Sequence, residues 1–110
     1  MADISTAAQA DLTARVRQLV AAERGMQLES ISLESRLLED LGMEGDDAQE
    51  FFQRFAREFD VDLSAMRWRR HFSDEGFFSW STPDIPVTVR DLIDAASAKR
   101  WSMDYSSKDE

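Results

Sequence analysis

The sequence predicts an all-α bundle of three to four helices, and three stretches carry that reading. Ala48, Phe51, Phe52, Phe55 and Phe59 recur at spacings of three and four, which puts them on one helical stripe, while Glu50, Gln53, Arg54 and Arg57 lie away from it. Ala8, Leu12, Val16, Leu19 and Val20 repeat the pattern in an Ala- and Arg-rich stretch that Gly25 closes. Thr88-Val89-Arg90-Asp91 has the form of a capping box, with Thr88 capping a helix and Asp91, three residues on, reaching back to it.

The first helix is expected over residues 6–24. The second opens at Gly45, where Asp46 and Asp47 suit the positive end of its dipole. The last runs from Val89 to about Trp101 and buries Val89, Leu92, Ile93 and Ala96, with Pro86 sharpening its start. Between the first two, Leu28, Ile31, Leu33, Leu37, Leu38 and Leu41 follow no single period, as expected of a long loop that pins apolar residues onto the bundle. A long aromatic insert precedes the last helix: a short helix over Leu63 to Phe72, then Phe77, Phe78 and Trp80. One domain over residues 1–101 and a flexible polar tail over 102–110 account for the whole chain.

Composition narrows the function classes. At 110 residues there is material for one domain, and 43% apolar residues suffice for its core. The absence of cysteine excludes disulfides, thiolate zinc sites and a cysteine nucleophile. No run approaches the roughly twenty apolar residues that span a bilayer, and the N-terminus lacks a basic start, so a cytoplasmic protein is expected. The net charge of −9 is concentrated in residues 29–66, which hold eleven acids and three bases. Such a field repels phosphate backbones and anionic lipid, which disfavours nucleic acid and membranes and favours a basic protein partner.

The chemistry-bearing residues form no strong constellation. His71 stands near Asp74 and Glu75 but has no second His or Cys, so neither catalysis nor metal binding is expected there. Asp40, Glu44, Asp46 and Asp47 lack the alternating spacing of a calcium loop. Arg67, Arg69 and Arg70 beside Trp68 read as internal partners for the acidic middle of the chain. The expectation is a protein that is not an enzyme and holds no metal or cofactor.

Glu39-Asp40-Leu41-Gly42, then Met43-Glu44-Gly45-Asp46-Asp47, and then Glu58-Phe59-Asp60-Val61-Asp62-Leu63 resemble the heart of an acyl carrier protein. Thr88-Val89 with Leu92-Ile93 is similar to the start of that family's last helix, so the resemblance covers residues 6–63 and 87–100. It implies an acyl-carrier-like bundle, akin to an uncharacterised bacterial branch of such proteins. Aligned through the turn, the family's attachment serine falls on Gly45, so the resemblance implies a carrier shape without a phosphopantetheine arm. The alternative is a true carrier with an atypical attachment site. Positions that are usually apolar and exposed in the family fall on Asp46, Gln49 and Gln53, and two usually acidic ones on Ala56 and Arg57. The implied function is a protein–protein interaction module of unknown pathway, whose partner is an enzyme of lipid or secondary metabolism. The expected contact surface is Glu44, Asp46, Asp47, Glu50, Gln53, Arg54, Arg57 and Trp68.

Overall fold

Three helices of ten residues or more carry the architecture: α1 over Asp3–Arg24, α2 over Gly45–Phe59 and, after the single-turn α3 at Trp68–His71, α4 over Val89–Ala98. The computed structural model describes residues 3–43, 45–72 and 85–103. Among these there is no strand, only two isolated bridges, and the chain is all-α as its periodicity predicts.

The three long helices end in the same way. After α1, Gly25 takes φ 64 and the Met26 N–H donates to the Ala21 carbonyl at 2.9 Å, the backbone pattern that turns a chain off a helix. After α2 it is Asp60 that takes the left-handed conformation, φ 57, with Val61 N–H donating to Ala56 O at 2.9 Å. After α4 it is Lys99, at φ 66, with Arg100 N–H donating to Ala95 O at 3.2 Å. Only the first of these is a glycine. The last helix therefore stops at Ala98, short of the expected Trp101, and Trp101 folds back as a buried core residue. Its start matches the expectation: Thr88 accepts from the Asp91 N–H, and the Asp91 carboxylate accepts from the Thr88 N–H at 3.0 Å.

The core follows the stripe on α2. Ala48, Phe51, Phe52, Phe55 and Phe59 are all buried, and Phe52 is the hub of the ring contacts. Its ring meets those of Phe51, Phe55, Trp68, Phe72 and Trp101 with centroids 5.4 to 6.1 Å apart, all edge-on or strongly inclined, the arrangement that aromatic quadrupoles favour. From α1 come Val16, Val20 and Ala21; Leu12 and Leu19 are only partly buried and Ala8 is exposed. The expected helix over Leu63 to Phe72 reduces to α3. Upstream of it, Asp62 is taken up by a bridge to Arg100 and accepts from the Ser64 N–H at 2.9 Å, which turns the chain instead. Phe77, Phe78 and Trp80 lie outside the described residues.

Two arginines hold the stretch between α1 and α2. Arg17 donates from Nε and Nη2 to the Ile31 carbonyl and from Nη2 to that of Leu28, at 2.8 to 3.0 Å. Arg24, seven residues on, donates from Nε to the Leu41 carbonyl at 3.1 Å. With its carbonyls satisfied in this way, the segment can press Ile31, Leu37, Leu41 and Met43 into the core. Leu37 N–H and Val87 O, 2.8 Å apart, and Val89 N–H and Ser35 O, 3.1 Å apart, then tie the same segment to the start of α4.

Because Phe52 touches five rings and Phe59 touches only that of Phe55, the two should differ on truncation. Phe52→Ala is expected to cost about 3–5 kcal/mol and Phe59→Ala to fall at or below the lower end of that range. Urea unfolding of both variants measures the order.

Candidate interaction surface

With one side of α2 buried, its other side faces solvent. Asp46, Glu50, Gln53 and Arg57 follow one another at spacings of four, three and four, which lines them up along the helix, and all four are exposed. Asp47 and Arg54 lie to the side of this ridge and lean toward α1. Asp47 pairs with Arg24 at 3.5 Å and Arg54 with Glu23 at 3.1 Å. Neither Asp46 nor Glu50 has an ion-pair partner among the described residues. The ridge is thus acidic toward the start of α2 and basic toward its end, the order its dipole favours.

The remaining expected contact residues are placed as follows. Glu44 lies outside the described residues. Trp68 is half-buried, its ring 4.7 Å from that of Phe72 and 5.7 Å from that of Phe52, and so belongs to the edge of the aromatic core. His71 is buried at the end of α3, with Nδ1 2.8 Å from the Ile85 carbonyl and its ring against those of Trp101 and Phe72. That position ties α3 to the chain entering α4. Among the described residues no group of three or more His, Cys, Asp or Glu is arranged to hold a metal ion, and no helix is long and apolar enough to cross a membrane.

Other carboxylates are engaged locally. Asp40 accepts from the Arg36 guanidinium and from the Arg36 N–H, and these bonds hold its pKa below the ordinary carboxylate value. Glu34 is held down in the same way by the hydrogen bond from Arg90. Lowered folded-state values mean that whatever these two exposed pairs contribute is present above the ordinary carboxylate range and is lost as pH falls through the lowered folded values.

Gly45 opens α2 with φ 56, a left-handed conformation that costs a residue bearing a Cβ about 1–2 kcal/mol. The glycine therefore has a backbone reason to be there, independent of any lost hydroxyl. Residues 9–104 match the family described as Protein of unknown function (DUF1493). The chain belongs to DUF1493. No curated protein and no solved structure matches it.

This corrects the acyl-carrier assignment: the match is to an uncharacterised family, and nothing in the comparisons points to carrier proteins. The short motifs behind the resemblance have local structural causes in this DUF1493 chain. In Asp40-Leu41-Gly42, the aspartate binds Arg36, the leucine is buried and the glycine takes φ 67. In Glu58-Phe59-Asp60, the phenylalanine fills the core and the aspartate turns the chain out of α2. Turn and helix-end requirements of this kind recur in unrelated folds. The left-handed start of α2 predicts that Gly45→Ala lowers stability by roughly 1 kcal/mol, with the helix content of the folded state unchanged. Chemical denaturation followed by circular dichroism tests this.

Proposed function

We propose that this DUF1493 member is a non-catalytic interaction module that presents the exposed ridge of α2 to a basic surface on a partner protein. The observation that carries the reading is the ridge itself. Asp46 and Glu50 stand on a helix whose opposite side is packed into the aromatic core, and no base among the described residues neutralises either of them. A surface held by the core has little motion left to lose on binding, which lowers the entropic cost of association. The concentration of acids in residues 29–66 supplies a long-range field that draws in a basic partner and repels an acidic one. Gln53 and Arg57 extend the ridge with donors that set register on the partner rather than adding net attraction.

The partner is expected to be a protein with a cluster of lysines or arginines. The test uses the full chain, tagged in its native cell, beside the Asp46→Asn/Glu50→Gln double variant. A basic protein should co-purify with the parent, fall off as salt is raised, and be retained about fivefold less by the variant, the scale of exposed ion pairs. Both forms should melt within a few degrees of each other, since exposed neutralisations change stability by about 0.5 kcal/mol each. Equal retention by parent and variant, or a co-purifying protein that is itself acidic, would contradict the proposal.

A further inference from the structure

The order of charges along the α2 ridge has a two-fold symmetry of its own. Asp46 and Arg57 lie equally far from the midpoint between Phe51 and Phe52, and so do Glu50 and Gln53. That midpoint is within half a residue of the centre of α2, which runs over Gly45–Phe59. Turning the helix end for end therefore puts Arg57 in the place of Asp46 and Gln53 in the place of Glu50. With about 3.6 residues per turn, the four side chains fall within an arc of roughly 60°, narrow enough for one facing helix to meet them all. All four are exposed, and none of the three charged ones has an ion-pair partner among the described residues.

We infer that the ridge docks on the same ridge of a second copy of this chain, the two α2 helices lying antiparallel about a two-fold axis. Asp46 of each copy then faces Arg57 of the other, and Glu50 of each faces Gln53 of the other. Four residues thus supply two ion pairs and two amide–carboxylate hydrogen bonds, as a self-complementary interface requires. Charge selects the antiparallel sense, since a parallel alignment sets Asp46 against Asp46 and adds the two helix dipoles in the same direction. Charge also selects the register, because sliding one helix by a turn separates both Asp46–Arg57 pairs. Exposed ion pairs are each worth little, so the contact is weak and reversible, of the transient class. The net charge of −9 on each copy opposes association, but that long-range repulsion is screened beyond about 8 Å at physiological ionic strength, whereas the ridge contacts act at shorter range. The ridge is the surface proposed above to meet a basic protein, so a second copy and that partner exclude one another on it. The self-pairing does not rest on that proposal.

Sedimentation equilibrium of the purified full chain in about 0.15 M salt tests the pairing. The weight-average mass is expected to climb from that of one chain toward that of two as the concentration rises to about 1 mM. Asp46→Arg and Arg57→Asp should each weaken the dimer about tenfold, since each replaces two ion pairs with two like-charge contacts. The two changes move the net charge in opposite directions, so weakening by both is not an effect of overall repulsion. Combined in one chain they restore opposite charges at both contacts and should return the dimer to the parent's strength. An equimolar mixture of the two single variants should associate as the parent does, because each reversed position then faces the other. Thermal melts check that each chain is folded, and the double variant, which keeps the parent's net charge, decides the matter even where a single change is destabilising. A single-chain mass at every concentration, a dimer indifferent to both single changes, or a double variant no tighter than the single ones would overturn the pairing. No other protein is present in this measurement, so its failure leaves the basic partner to be judged by co-purification, and failure there leaves the dimer standing.

Discussion

The contact on which the rest of the structure depends is the one made by Phe52. Its ring meets two others from its own helix, two from the α3 region and Trp101 beyond the end of α4. A buried aromatic side chain contributes several kcal/mol, while a domain of this size is stable by about 5–15 kcal/mol in all. Trp101, which meets both Phe52 and His71, closes the same junction from the chain after α4. The orientation of α2 follows from it: with Phe52 inward, Asp46, Glu50, Gln53 and Arg57 can only face out.

Around this centre the polar contacts set chain path more than stability. Arg17 and Arg24 satisfy carbonyls of the segment between α1 and α2, so the segment needs no regular ladder of its own. The α4 helix is fastened at both ends, by the bridge between Arg36 and Thr88 at its start and by that between Asp62 and Arg100 at its finish. The exposed ion pairs, such as Arg54 with Glu23, are each worth about 0–1 kcal/mol and matter chiefly for which charges remain free on the surface.

The parts of this fold that were legible in the sequence are those fixed by local chemistry. Four phenylalanines at helical spacing define the buried side of α2, Gly25 closes α1, and Thr88 with Asp91 starts α4. What could not be read depended on distant partners or on unfavoured backbone. Asp60 is of a type that tolerates the left-handed conformation, but nothing in the type of Lys99 announces one, and so the last helix reads too long. The aromatic residue at 68 reads as surface because, of the two rings that half-bury it, Phe72 lies one turn on but Phe52 comes from α2. Gly45 shows the opposite case: in the sequence it resembles a lost serine, while the backbone requires it for its φ. The ridge itself was legible in outline, through the same periodicity that located the core. Its pairing pattern was not, because Glu23 and Arg24 reach it from α1.

The account divides α2 into two sides with separate duties, one holding the fold and the other meeting a partner. Systematic substitution along the helix, with stability and partner retention measured on every variant, tests that division most directly. The account predicts that changes at Ala48, Phe51, Phe52, Phe55 and Phe59 lower stability, whereas changes at Asp46, Glu50, Gln53 and Arg57 lower partner retention while the melting temperature holds. If retention falls only where stability falls, at every position, α2 is a core helix alone and the proposed surface is contradicted.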